Sequence, residues 1–247
     1  MSRHGLSFEA YIEAIETESG RLLSVVAPFL EAPVPSCPEW DGSELARHVA
    51  QVFTFFANQV ACADPEQRHE PGGGEEAAGE EALEWLTAAA DVLVRSLRDA
   101  GPEAPCWNWS GENLDTSWVA RRMALEVAVH RYDAELTADD PRPIDAELSV
   151  DGIDERIEVH LGYDLPEFPN ATLGGSLCLC CADAEEAWVL DVGGGRLRCR
   201  EGRGPASAVV RGSASEVFLF TWNRVGLDEL EVTGDRSVAE AWRTLPS

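Results

Sequence analysis

The run LEVAVHRYDAE, residues 125–135, places a glutamate and a histidine four positions apart, Glu126 and His130, within a stretch of helical period. Positions 119, 123, 126, 130, 134 and 137 share one face of that helix. Val119 and Met123 make the face apolar, and Glu126 and His130 interrupt it. An upstream segment repeats the anomaly: His48 shares a helical stripe with Leu45, Val49, Val52 and Phe56. A buried, unpaired carboxylate is costly to desolvate and would sooner take up a proton than stay charged. Coordination of a metal removes the difficulty. Two imidazoles and one carboxylate meeting across two helices make a set that suits zinc and leaves a fourth position open, as catalytic sites do. Plainer readings exist. A lone histidine on an apolar face is usually a hydrogen-bonded core residue, and Glu and His at i and i+4 can be an exposed pair. The coincidence on two helices favours the metal. His4, His69 and His160 fall in a tail, a polar loop and a later helix and are read as background.

Four long amphipathic segments have to position this set. Phe8, Ile12, Ile15, Leu22, Val25, Val26 and Phe29 mark the first, which Pro33, Pro35 and Pro38 end. Asp41 is a suitable N-cap for the second. A loop rich in Pro, Gly and Glu follows at residues 64–75. Leu83, Leu86, Ala90, Leu93 and Leu97 define the third helix, which stops at Gly101, and the fourth runs from about Asp115–Thr116 to Leu136. Helices of this length predict a bundle over residues 1–140. After Pro141 the texture changes. Residues 149–163 read as a bridging helix, within a linker spanning 141–173. Residues 174–247 read as a small α/β domain: strands SLCLCCA, AWVLDV, RLRCRE and SAVVRG, with a hairpin turn at Gly193–Gly195. A helix over Ser213–Trp222, a short strand at Leu230–Val232 and a closing helix over Ser237–Leu245 complete it. The expected class is α+β.

Composition narrows the function. Acidic residues number 45 against 19 Lys plus Arg, a formal charge of −26, and such a surface repels phosphate backbones, so nucleic-acid binding is disfavoured. An anionic substrate would need arginine gathered locally. No apolar run reaches the length of a membrane helix, and the first residues turn polar at once, so a cytoplasmic protein away from the membrane is expected. The seven cysteines, Cys37, Cys62, Cys106, Cys178, Cys180, Cys181 and Cys199, have irregular spacing without C-x-x-C pairs and read as free thiols in a reducing compartment. Oligomeric state leaves no trace in the sequence.

The segment MALEVAVHRYDAEL, with WDGSELARHVAQ upstream, resembles the mycothiol-dependent maleylpyruvate isomerase family of actinobacteria. The likeness extends to the Trp107–Trp109 loop, to PIDAELSVDGIDE, and to VVRGSASEVFLFTWNR and LEVTGD near the C-terminus, so it covers most of the chain. It implies a DinB-like metal-binding four-helix bundle followed by a sterol-carrier-like α/β domain. It places the family's metal ligands on His48, Glu126 and His130, the three residues that the stripes single out. It also implies mycothiol as a low-molecular-weight thiol cosubstrate, and a catalytic or cofactor-binding arginine after a tryptophan, matched by Arg224 in TWNR. A free thiol is mostly protonated at neutral pH, whereas a metal-bound thiol is deprotonated. The implied activity is attack of that thiolate on a small electrophile, either in cis–trans isomerisation of maleylpyruvate or in S-transfer. Arg224 could hold a carboxylate bidentately, which would require the second domain to wall the metal's open side. Arg122 and Arg131 read as surface residues. Two rivals stand beside this reading. One is a metal-dependent hydrolase using bound water, with Asp133 as a weak candidate base. The other is a non-catalytic small-ligand or regulatory protein.

Overall fold

The helical stripes of the first half become four helices in a computed structural model of the chain, described here for residues 5–70 and 76–246. Contacts divide the chain into two units, Leu6–Arg142 and another built from Pro143 onward. His4 and the far end of the 64–75 loop lie outside the described residues.

In the first unit, α1 (Phe8–Val26) is capped by Ser7, whose side chain accepts from the Ala10 N–H, and it buries Tyr11, Ile12, Ile15, Leu22 and Val26. The proline-rich stretch after it is more than a stop signal. It forms a short antiparallel hairpin, β1 (Pro33–Val34) with β2 (Cys37–Asp41). Asp41 then caps α2 (Gly42–Cys62) in a reciprocal capping box with Glu44. Only glycine fits at position 42, because a Cβ there would lie 2.5 Å from the Phe29 carbonyl oxygen. Helices α3 (Glu80–Ala100) and α4 (Thr116–Thr137) complete the bundle, with α1 lying along α4 and α2 along α3.

Helix α4 is buried nearly all round, so its charged residues have partners inside the fold. Arg122 and Arg131, expected at the surface, are buried: Arg122 pairs with Glu126, and Arg131 pairs with Glu18 and Glu135. A guanidinium with carboxylates one helical turn away, or on the neighbouring helix, can be desolvated without being left unpaired.

In the second unit, Asp145 caps α5 (Ala146–Glu155), which continues through a π-helical turn (Arg156–Leu161) into the short α6 (Gly162–Asp164). The helix expected as a bridge therefore belongs to this unit, where α5 packs on α7 (Ala214–Thr221). The sheet comprises β3 (Leu177–Cys181), β4 (Ala187–Gly193), β5 (Arg196–Glu201), β6 (Ala208–Gly212) and β7 (Glu231–Gly234), in the order β5-β4-β3-β6-β7. Only the β3–β6 pair is parallel. Gly194 and Gly195 make the two-residue β4–β5 turn, both with positive φ, as a type I′ hairpin requires. Ser213 and Glu216 form the capping box of α7, and α8 (Arg236–Glu240) runs on into a 3₁₀ turn (Ala241–Thr244). None of the seven cysteines forms a disulfide. Burial pushes the thiols of Cys106 and Cys181 up to about 12, which makes them poor nucleophiles. No helix among the described residues is long and apolar enough to cross a membrane.

Candidate metal centre

His48 stands in the second turn of α2, and Glu126 and His130 stand one turn apart on α4. The core stripe of α2 runs through Leu45, Ala46, Val49, Ala50, Phe53, Phe56 and Ala57. His48 is therefore at the margin of that stripe rather than at its centre, and its side chain keeps 32% of its surface exposed, against 15% for Glu126 and 8% for His130. The cluster is closed on the α4 side and accessible on the His48 side.

Glu126 Oε1 lies 3.2 Å from His48 Nε2 and 3.3 Å from His130 Nε2. One donor atom from each of the three residues falls within 4.8 Å of the others. Ligand bonds of about 2 Å at a tetrahedral angle separate donor atoms by about 3.3 Å. Two edges of the triangle already have that length, and the donor set of two imidazoles and a carboxylate is one that a divalent ion accepts. The residues fit a metal.

The neighbours hold these groups in place. Glu126 Oε2 is taken by Arg122, one turn earlier on α4, which leaves Oε1 turned to the histidines. Burial alone would raise the Glu126 pKa, but Arg122, His130 and His48 hold the carboxyl well below its ordinary value. Burial also opposes charge on His130. Its hydrogen bonds to Asp133 and Glu126 outweigh burial and raise that ring to about 9. The Trp40 ring on β2 packs against the pair, with its centroid 4.7 Å from that of His48 and 6.0 Å from that of His130. Asp133 is fully buried and 2.9 Å from His130 Nδ1, engaged with that ring rather than poised as a free base.

The structure thus brings together all three residues expected from the sequence. Arg122 is read from the sequence as a surface residue and Asp133 only as a weak candidate base, although i,i+4 and i,i+3 spacing to Glu126 and His130 was the available signal for both as partners of the cluster. Trp40 opens the segment WDGSELARHVAQ, but nothing in its type or spacing indicated that its ring packs on a histidine eight residues on. Arg224 belongs to the second unit. It follows α7, its backbone N–H donates to the Leu219 carbonyl, and its guanidinium donates to the Trp222 carbonyl at 2.9 Å.

A helical bundle carrying a His₂Glu cluster on two of its helices, followed by a unit with a mixed sheet, defines the class. The family profile of the mycothiol maleylpyruvate isomerase N-terminal domain matches residues 12–135, a span that contains His48, Glu126 and His130. The chain belongs to this family. Among solved structures, it is similar to the mycothiol-dependent maleylpyruvate isomerase, with a TM-score of 0.62 at 14% identity over 94% of this chain and 95% of the other. A histidine-to-alanine mutant of that isomerase gives 0.67 at 13% identity over the same shares. At such identity the likeness is one of fold. No curated protein matches the sequence.

Proposed function

We propose that this chain is a metal- and mycothiol-dependent enzyme that directs a thiolate at a small electrophile, in a cis–trans isomerisation like that of maleylpyruvate or in an S-transfer. The observation that carries the reading is the convergence of His48, Glu126 and His130 within a family whose name pairs that thiol with that substrate. His48 and His130 would hold the ion through Nε2 and Glu126 through Oε1. Bound there, a divalent ion such as zinc supplies Lewis acidity and lowers the pKa of a thiol placed on it.

The chain's own residues do the rest. Arg122 neutralises the outer oxygen of Glu126 and limits the carboxylate to one inward donor. Trp40 shields one side of both rings from water, which strengthens electrostatic interactions beneath it. The exposed edge of His48 is the approach for a ligand. Arg224 is proposed to bind a carboxylate of substrate or thiol. Support for this comes from its place after Trp222 in TWNR and from the bidentate reach of a guanidinium.

Purified protein is expected to bind about one divalent ion per chain and to lose it in a His48→Ala/His130→Ala variant, measured by elemental analysis. Full occupancy in that double variant would end the proposal. Arg224→Ala is expected to keep its metal and to weaken binding of the anionic partner by roughly 1–3 kcal/mol, with Arg224→Lys in between. Normal thiol-dependent turnover in Arg224→Ala would remove Arg224 from the site.

A further inference from the structure

The β1–β2 hairpin reaches the metal cluster through a hydrogen-bond chain that none of the three ligands explains. Ser36, in the hairpin turn, donates from Oγ to Asp133 Oδ1 at 2.6 Å. The other oxygen of Asp133 lies 2.9 Å from His130 Nδ1, with the Cys37 thiol donating to it weakly at 3.9 Å. His130 Nε2, on the far side of the ring, points to Glu126 Oε1 at 3.3 Å. The His130 ring is therefore held between two carboxylates, and a ring that ligates a metal must be neutral, with one N–H to offer.

The two placements of that proton are not equivalent. On Nε2 it would face Glu126 and occupy the lone pair that a metal needs. On Nδ1 it faces Asp133 and leaves Nε2 free. Which one prevails depends on how well each carboxylate is fixed as an acceptor. Glu126 Oε2 is paired with the Arg122 cation and its Oε1 is shared between two histidines at 3.2 and 3.3 Å, whereas Asp133 is buried, anchored at Oδ1 by the neutral Ser36 hydroxyl, with Oδ2 nearer the ring at 2.9 Å. Outer partners of this kind fix the tautomer of a metal-ligating histidine.

We infer that Asp133, anchored by Ser36 from the hairpin, is a positioning residue that keeps the His130 proton on Nδ1 and so holds Nε2 ready for a divalent ion. Ser36 and Asp133 are 97 positions apart, and the hairpin is what brings them together. The inference rests on the metal site proposed above and adds to it a dependence on residues outside the ligand set.

Two readouts test it: zinc affinity, by competition with a chromophoric chelator, and side-chain ¹H–¹⁵N spectra of zinc-loaded protein labelled in histidine. The wild type is expected to show the His130 N–H on Nδ1. Asp133→Asn is expected to bind zinc roughly 10–100-fold more weakly. Ser36→Ala, which leaves the buried carboxylate in place, is expected to lose less, and Ser36→Thr to restore it. Thermal melting of each metal-free variant separates loss of positioning from loss of fold. Zinc affinities of Asp133→Asn and Ser36→Ala equal to wild type would overturn the inference and leave the metal site standing, whereas a His130 proton on Nε2 in zinc-loaded protein would remove His130 from the ligand set and overturn both. A wild-type protein that takes up no zinc would overturn both.

Discussion

Replacing Arg131 with methionine tests how α4 carries charge through the core. The guanidinium is fully buried and donates to Glu18 Oε2 at 2.6 Å, to Glu135 Oε2 at 2.5 Å and to the Arg142 carbonyl at 2.6 Å. Glu18 sits on α1, so the arrangement ties α1 to α4 and to the chain beyond α4. Both carboxylates are 5% exposed, so neither can turn to water when the cation is removed. Glu135 keeps the Arg142 N–H at 2.7 Å, and Glu18 keeps a long ion pair of 3.6 Å with the exposed Arg21. Methionine fills the space of the stem but compensates neither charge. Breaking a buried pair by removing one partner costs about 3–5 kcal/mol. For a folding unit of this size, that lowers the melting midpoint by roughly 10–20 °C.

The assay is thermal and urea unfolding of wild type, Arg131→Met and Arg131→Lys. Lysine retains the charge without the fork that serves three acceptors at once, so its loss should be intermediate. Adding Glu18→Leu to Arg131→Met should recover part of the loss, because an apolar pair can replace a buried ion pair at little cost. An Arg131→Met protein within about 1 kcal/mol of wild type would refute the reasoning, since buried carboxylates would then tolerate the loss of their cation.

Two further outcomes follow from the candidate metal centre. In metal-free protein the His130 pKa stands at about 9 against an ordinary 6.5, so its contribution is fully present below about 6.5 and is lost as pH rises through about 9. That is about 3 kcal/mol at most, and urea midpoints in chelator at pH 6, 7.5 and 9.5 should fall in that order; a flat or rising series would contradict it. Arg122→Leu removes the cation from Glu126 Oε2 and should destabilise the metal-free protein by roughly 2–4 kcal/mol, with zinc recovering part of the loss. Equal losses with and without zinc, read by thermal melting, would show that Arg122 does not compensate Glu126.

The sequence was most legible where local chemistry decides. Asp41, Asp115 and Ser213 marked helix starts because short polar side chains satisfy the first N–H groups, and each caps a helix in the structure. The paired glycines at 194 and 195 marked a turn because only positive φ closes it at that length. Legibility failed where tertiary contacts decide. The 33–41 hairpin was read only as a helix stop, since its prolines obscure any strand pattern, and with it went Ser36 and Trp40. His48 was placed one position too deep, because a stripe of 45, 49, 52 and 56 and one of 45, 46, 49, 50 and 53 are both available on α2. Only packing against the neighbouring helices selects the second.

The misreading of Arg122 and Arg131 has a physical cause that also bears on chemistry. A helix with one wet face can be read by its stripe, but α4 is buried around nearly its whole circumference, so its polar residues occur at every angle. What organises them is spacing: Arg122 with Glu126, Glu126 with His130, His130 with Asp133, Arg131 with Glu135, each three or four residues apart. With both imidazoles neutral, as ligation of an ion requires, Arg122 sets one positive charge against the two negative charges of Glu126 and Asp133, so the side chains around the ion are one charge short of neutral. A divalent ion would turn that deficit into a single positive charge, which an anionic fourth ligand would cancel. The chain as a whole carries −26 and repels anions at long range. An anion would therefore find compensating charge locally, at the exposed edge of His48, and a preference of the candidate centre for an anionic ligand such as a thiolate would come from α4 rather than from the protein's overall field.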